Sequence, residues 1–371
     1  MTTRQGILLA ISALGLTTTG CDRGASTEAA WLAFEWPEAD SLFRRDGSWV
    51  GADGAYSVDL GKGRVLWLFG DTWIDPTGRG RRQGASMVSN TLGIQQGYDP
   101  SRAAIRFFWR TSSDGVPGAF FPDSGNHRHW PGHGVRLGDH LLLFLMVVEP
   151  RSGGLGFEVA DWEAVLVSNP DEDPAHWNMA PLDTPPNRLR VIVGSGGVLR
   201  DSGYLYAFSA QEPTAQHDVY LVRWPENEVL LGRLDGMQWW GGDGEGWVSN
   251  RDEGPPAQPV FGDGQTEFTV HHDPHSRAFV EVQTMGFGPA AVVRRNAPRL
   301  TGPWSVPDTV FVPAQTRFPR IMIYQGKAHP WLQGAELVVT YSTNSFEFAD
   351  HLTEPWLYYP RFVRLTGSAA R

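Results

Sequence analysis

A strand, a polar turn and then a tryptophan recur along this chain. Ala164-Val-Leu-Val-Ser-Asn-Pro leads to Trp177 and Ala291-Val-Val-Arg-Arg-Asn-Ala-Pro leads to Trp304, with weaker copies ending at Trp109 and Trp239. These tryptophans stand 62 to 68 residues apart. A unit of that length holds four strands of about 5 to 6 residues, their turns and some longer loops, which together make one propeller blade. Five such units account for the chain after its first residues. The expected fold is therefore all-β, a single five-bladed β-propeller with the tryptophans packed between blades. A two-sheet sandwich with long loops fits the even spacing less well.

The local pattern agrees. Short apolar runs such as Val65-Leu-Trp-Leu-Phe69, Leu141-Leu-Leu-Phe-Leu-Met-Val-Val148 and Leu337-Val-Val-Thr-Tyr341 are separated by Gly and Pro clusters, and helical periodicity is almost absent. A chain of 371 residues exceeds the usual size of one core, yet no linker divides it, and repetition of a small unit satisfies both facts. The single cysteine, Cys21, rules out an intramolecular disulfide, so packing must hold the fold.

Arg4, the apolar run Ile7 to Leu16 and then Thr17-Thr-Thr-Gly-Cys21 read as a secretory signal, too short to span a bilayer. A lone cysteine at the start of a polar stretch resembles a lipidation site. The expectation is a lipoprotein signal over residues 1–21 with lipidated Cys21, a short tether over 22–34 and the propeller over 35–368. Such a protein is a monomer held at the cell envelope, periplasmic or at the cell surface, by a lipid anchor in the membrane. A net charge of -10 with no basic face excludes nucleic acid as a partner.

The chemistry points to one hairpin. If Ser57 to Leu60 and Arg64 to Phe69 pair around the Gly61-Lys62-Gly63 turn, Asp53 and Asp71 become cross-strand neighbours at the opposite end. Two adjacent carboxyls are costly unless they share a proton, bind a cation or flank a substrate. Glycosidic cleavage uses such a pair. The duller alternative has Asp71 capping turn amides.

Other side chains are candidates for holding a substrate. Trp73 and Trp130 offer aromatic faces to sugar rings. His133 lies in a glycine-rich turn, Glu267 is the best carboxylate of the fourth repeat, and Tyr341 and Asn344 end a buried strand. Each also has a reading as packing or turn bonding. His271-His272-Asp273 and His127-Arg128-His129 are poor metal sets because adjacent strand side chains point to opposite faces. No cofactor or metal is expected, and a channel calcium needs oxygen ligands from several blades.

Gly51-Ala-Asp53-Gly-Ala-Tyr-Ser, Leu66-Trp-Leu-Phe-Gly-Asp71-Thr, Ser89-Asn90-Thr-Leu-Gly93, Ala328-His329-Pro330 and Thr340-Tyr-Ser-Thr-Asn344-Ser occur in this order. Together they resemble a bacterial propeller family, long labelled a domain of unknown function, that includes endo-D-arabinanases. The resemblance implies a five-bladed propeller with a shallow cleft over its channel, catalytic aspartates at Asp53 and Asp71, and Asn90 and His329 near the substrate. The expected activity is glycoside hydrolysis of an extracellular polysaccharide, an arabinan or another furanose-containing glycan. The alternative is a non-catalytic surface lipoprotein that binds glycan or protein through the same face.

Overall fold

Strands in the middle of a propeller blade are covered on both faces by the neighbouring blades, so they read as unbroken apolar runs and not as alternating ones. His140–Pro150 is such a strand, buried from Leu141 through Val148. The computed structural model describes residues 31–153, 156–211, 217–251 and 254–367. Five antiparallel sheets follow one another around a central axis.

From the inside outward, blade 1 contains Trp49–Gly61, Arg64–Ile74, Thr91–Gln96 and Ala104–Phe108. Blade 2 contains Arg128–Leu137, His140–Pro150, Phe157–Val167 and Met179–Leu182. Blade 3 begins with Val191–Asp201, Tyr204–Gln211 and His217–Pro225 and is extended by short outer strands. Blade 4 contains Thr269–Asp273, Ala278–Met285, Ala291–Ala297 and Asp308–Phe311. Blade 5 takes Ile321–His329, Leu337–Ser345 and Arg361–Gly367 from the end of the chain.

The fourth strand of blade 5 comes from the other end of the chain. Trp31–Glu35 pairs antiparallel with Arg361–Gly367, from Trp31 opposite Gly367 to Glu35 opposite Val363, and so closes the ring. Residues 31–34, expected in the tether, are therefore strand, held by this ladder. The expected signal segment, with Cys21, and residues 22–30 lie outside the described residues.

Each seam between blades has its own apolar core. Trp49, Trp67 and Phe69 of blade 1 meet Val338 and Phe362 of blade 5. Tyr56, Leu66 and Leu68 meet Leu143 and Val165 of blade 2. Phe144 and Trp162 meet Leu205 and Trp224 of blade 3. The repeated tryptophans fill these seams in order: Trp109 between blades 5 and 1, Trp177 between 1 and 2, Trp239 between 2 and 3, and Trp304 between 3 and 4. Trp31 of the closing strand takes that place between blades 4 and 5.

All five innermost strands run the same way, so the loops before them and those joining second to third strands gather on one face. Asp53, near the start of an inner strand, and Asp71, near the end of a second strand, both lie at that face.

A chain beginning at Trp31 should melt with the longer protein, whereas one beginning at Trp36 exposes the edge of Arg361–Gly367 and should melt at least ~5 °C lower, with aggregation. Thermal unfolding by circular dichroism checks this, and equal melting of the two truncations overturns the closure.

Candidate active site

Two bulged strands build the site. In blade 1 the register pairs Ala52 with Thr72 and Gly54 with Phe69, so Asp53 alone faces the two residues Gly70 and Asp71. The bulge runs through Gly54 at φ +89° and Ala55 at φ +65°. Gly70 lies under the carboxyl, where a Cβ would stand 2.5 Å from Asp53 Oδ1, so a side chain there would displace the acid.

The second bulge is in blade 5, where the register shifts between Tyr324 and Lys327 and Gln325 adopts φ +56°. In a regular strand neighbouring side chains point to opposite faces. Here the bulge lets Tyr324, Gln325 and Lys327 all reach blade 1. The Tyr324 hydroxyl donates to Asp53 Oδ2 at 2.9 Å, Gln325 Oε1 accepts the Gly54 N–H at 2.7 Å, and Lys327 Nζ donates to the Gly54 carbonyl at 2.9 Å.

Glu267 of blade 4 closes a ring of contacts. One of its oxygens accepts from Gln325 Nε2 and the other pairs with Lys327 Nζ at 3.3 Å. Gly54, the residue after Asp53, is thus gripped at both its N–H and its C=O by two side chains that share one carboxylate. Lys327 is wholly buried, with its ammonium 4.2 Å from the Tyr56 ring centre.

A directed chain of hydrogen bonds ends on Asp53. His351 Nε2 donates to Asn344 Oδ1 at 2.6 Å, Asn344 Nδ2 to the Tyr324 hydroxyl at 3.3 Å, and Tyr324 to Asp53. The Tyr358 hydroxyl adds a second donor to Asp53 Oδ2 at 3.2 Å. Asp71 Oδ1 accepts from Trp130 Nε1 at 2.9 Å.

The two aspartates titrate differently. Burial, then the charges of Asp71 and Glu267, push Asp53 up to about 8 against the pull of Tyr324 and Lys327. Burial pushes Asp71 up to about 6, against the Trp130 N–H and Arg128. Burial draws Lys327 down, opposed by Glu267. Interacting carboxyls titrate as a pair, in two steps that belong to both groups, and burial makes the charged form costly for each. Among the described residues no cluster of three His, Asp or Glu is arranged to hold a metal ion.

Residues 38–367 match the family described as Domain of unknown function (DUF5005). The chain belongs to that family. No curated protein sequence matches it. Among solved structures, this DUF5005 propeller is similar to a Bacteroides ovatus protein provisionally named a hydrolase, with a TM-score of 0.70 and 16% identity over 90% of each chain. It is also similar to an α-L-arabinofuranosidase from Podospora anserina solved with cellotriose, with a TM-score of 0.51 and 12% identity over 92% of this chain and 98% of that one. At these identities the likeness establishes the five-bladed fold.

The residues picked out from the sequence divide into two groups. Asp53, Asp71, Trp130, Glu267 and Asn344 come together at the open end of the DUF5005 channel, all part-exposed. The others are engaged in packing or backbone bonding. Trp73 is 5 % exposed and lies against Phe348 and His351, so it is not an open sugar platform. Asn90 is fully buried, bonding the backbones of Phe121 and His129. His133 donates to the Ser57 carbonyl and accepts from the Val198 N–H, tying three inner strands together. His329 sits between the Ser57 and Thr340 hydroxyls, and Tyr341 is packed in the seam of blades 4 and 5.

A crevice of about 300 Å³ between the outer parts of blades 1 and 2 touches none of the carboxyl cluster, and Arg64, Arg106, Asp171 and Asp173 on its walls are already ion-paired. Tyr324, Gln325, Lys327, His351 and Tyr358 did not stand out in the sequence, since only the two bulges and ring closure bring them to Asp53.

Lys327→Met leaves Glu267 facing the interior without its cation and should cost roughly 3–5 kcal/mol in urea unfolding, with part recovered in the Lys327→Met/Glu267→Gln double variant. No recovery overturns the coupling. A second prediction follows from Asp53. Its folded value of about 8 exceeds the ordinary 3.8, so the stability it contributes is full below about pH 4 and lost as the pH rises towards 8. Asp53→Asn escapes that loss, and its melting advantage over the parent should grow from pH 4 to about pH 8.5. An advantage that shrinks over this range rules out the raised value.

Proposed function

We propose that this propeller is a glycoside hydrolase acting on an extracellular polysaccharide, an arabinan or another furanose-containing glycan, with Asp53 and Asp71 as its carboxyl pair. The observation that carries the reading is the pair itself: two adjacent acids on an open propeller face, held in unequal surroundings where burial makes them costly to charge together. Asp53 Oδ2 is occupied by tyrosine hydroxyls and Asp71 Oδ1 by Trp130, and the second oxygen of each is available for chemistry. The sugar-cleaving activity in the name of the Podospora anserina structure, which has the same fold, agrees with this reading.

In this mechanism protonated Asp53 gives its proton to the glycosidic oxygen as the C–O bond breaks. Ionised Asp71 either takes a proton from the attacking water or attacks the anomeric carbon itself. Tyr324 and Tyr358 then stabilise the carboxylate left on Asp53, so donors whose pull is outweighed by burial before the reaction become useful once the proton is gone. Glu267 has both oxygens held by the protein and serves to fix the Gly54 peptide. The same reading places the protein at the cell envelope through a lipid on Cys21.

The test is reducing-sugar release from a panel of arabinans and other envelope or plant polysaccharides. The parent should release sugar with a bell-shaped pH dependence between about 6 and about 8, the apparent values of the pair. Asp53→Asn and Asp71→Asn should each lose roughly 10²- to 10⁴-fold while remaining folded. Full activity in either variant sinks the assignment, and saturable binding without release from any substrate replaces it with a glycan-binding role.

A further inference from the structure

Among the described residues, five phenylalanines are at least 41 % exposed: Phe34, Phe287, Phe318, Phe346 and Phe348. All but Phe34 lie in loops of blades 4 and 5 on the face that carries the carboxyl pair. Burying a phenylalanine is worth roughly 1.5–3 kcal/mol, so four of them left open on one sector of one face is a feature that core packing does not explain.

These rings are held in place. Phe287 and Phe346 meet with centroids 5.7 Å apart, and Phe318 lies 6.4 Å from Trp356. Phe348 stacks on His351 at 5.6 Å and 17°. Their loops are tied to the blade by backbone bonds, from the Ile323 N–H to the Gly288 carbonyl and from the Phe346 N–H to the Arg320 carbonyl, each 3.0 Å. The rim is also continuous with the acids, because His351 under Phe348 begins the hydrogen-bond chain through Asn344 and Tyr324 to Asp53.

The polar groups between the rings indicate what the rim holds. Glu347 is exposed beside Phe346, Asp350 pairs with Arg320, and Glu354 accepts from Trp356 Nε1. Apolar faces alternating with acceptors suit a neutral sugar chain, whose ring C–H faces are apolar and whose edges carry hydroxyl donors. Arg317, its guanidinium 4.9 Å from the Phe318 ring centre, and Arg320 offset the charges of Glu347, Asp350 and Glu354, and such a mixed rim suits an uncharged ligand better than a uniformly anionic surface.

We propose that Phe287, Phe318, Phe346 and Phe348 form sugar-binding subsites that hold a neutral polysaccharide on the blade 4 and 5 side of the carboxyl pair, away from the linkage being cleaved. This rests on the reading of the face as a glycan cleft. Trp130, bonded to Asp71 and packed edge-on against Phe157 at 4.8 Å, provides an aromatic contact on the blade 2 side.

Affinity electrophoresis in gels containing linear arabinan, xylan or galactan tests this, using the Asp71→Asn protein so that nothing is cleaved. Adding Phe287→Ala, Phe346→Ala and Phe348→Ala should weaken retardation by the best polymer at least tenfold without changing the melting temperature, and Phe346→Trp should keep it. Unchanged retardation in the triple variant, or retardation by none of the polymers, overturns the proposal. So does a triple variant whose only loss is binding to phosphatidylglycerol vesicles or self-association. Retardation that depends on the rim, in a protein whose parent releases no sugar, leaves the rim standing and removes the hydrolase reading alone.

Discussion

The ladder between Trp31–Glu35 and Arg361–Gly367 is the constraint on which the rest of the molecule depends. It joins the two ends of the described chain into one blade and so fixes blade 5 against blade 1, and the candidate site spans that seam. Tyr324 and Tyr358 lie 271 and 305 residues from Asp53, the carboxyl they donate to. Contacts of such separation repay their loop-closure entropy only when the intervening blades are already packed. Arg82 strengthens the seam, since its buried guanidinium donates to the carbonyls of Val50, His351 and Leu357 and so ties the loop after Asp71 to the segment that presents Tyr358. Folding and site assembly are thus one event.

The site stores free energy unfavourable to folding. Ala55, Gln325 and Tyr358 adopt positive φ, and each such non-glycine residue costs on the order of 1–3 kcal/mol. Asp53 has the charges of both Asp71 and Glu267 near it, with one buried ammonium, that of Lys327, beside Asp53 and Glu267. Seams filled by Trp49, Phe144, Trp162, Trp224 and their neighbours offset these costs. The three positive-φ residues and the crowded charge fall on one face of the ring, while the seams that compensate them run around the whole of it. That division is expected of a scaffold that holds reactive groups in place.

The sequence carried the architecture because a propeller repeats. The strand-turn-tryptophan unit marks four of the five seams, and the pairing of Asp53 with Asp71 needed only the Gly61-Lys62-Gly63 turn and the register it sets. The rest of the site was hidden for two reasons. A bulge reverses the side-chain alternation on which strand reading depends, so no strand pattern turns Tyr324, Gln325 and Lys327 towards one neighbour. Ring closure then brings blade 5 beside blade 1, an adjacency written in no local pattern. His133, His329, Asn90 and Tyr341 misled for the opposite reason: they are polar groups whose partners lie inside the fold, backbone for His133 and Asn90, hydroxyls for His329 and the Gln315 amide for Tyr341. A polar residue on an inner strand faces the cleft or the plugged channel according to its depth along the strand, and depth cannot be read before the bulges are placed.

The plugged channel also shapes what the face can bind. Below the carboxyls, Tyr56, Ser57, His133, Ser195, Thr269, Lys327 and His329 fill the axis, each no more than 3 % exposed. Burial draws His133 down to about 4, so its ring stays neutral while it spans three blades. Nothing can thread through such an axis, and a chain-like ligand must lie across the open end. The packed floor leaves the charge of Lys327 little screened from below, so its field acts chiefly on Glu267 and Asp53. A neutral polymer lying over that floor meets a proton it can accept at Asp53, a carboxylate at Asp71, and aromatic surface on the sides of blades 2 and 5.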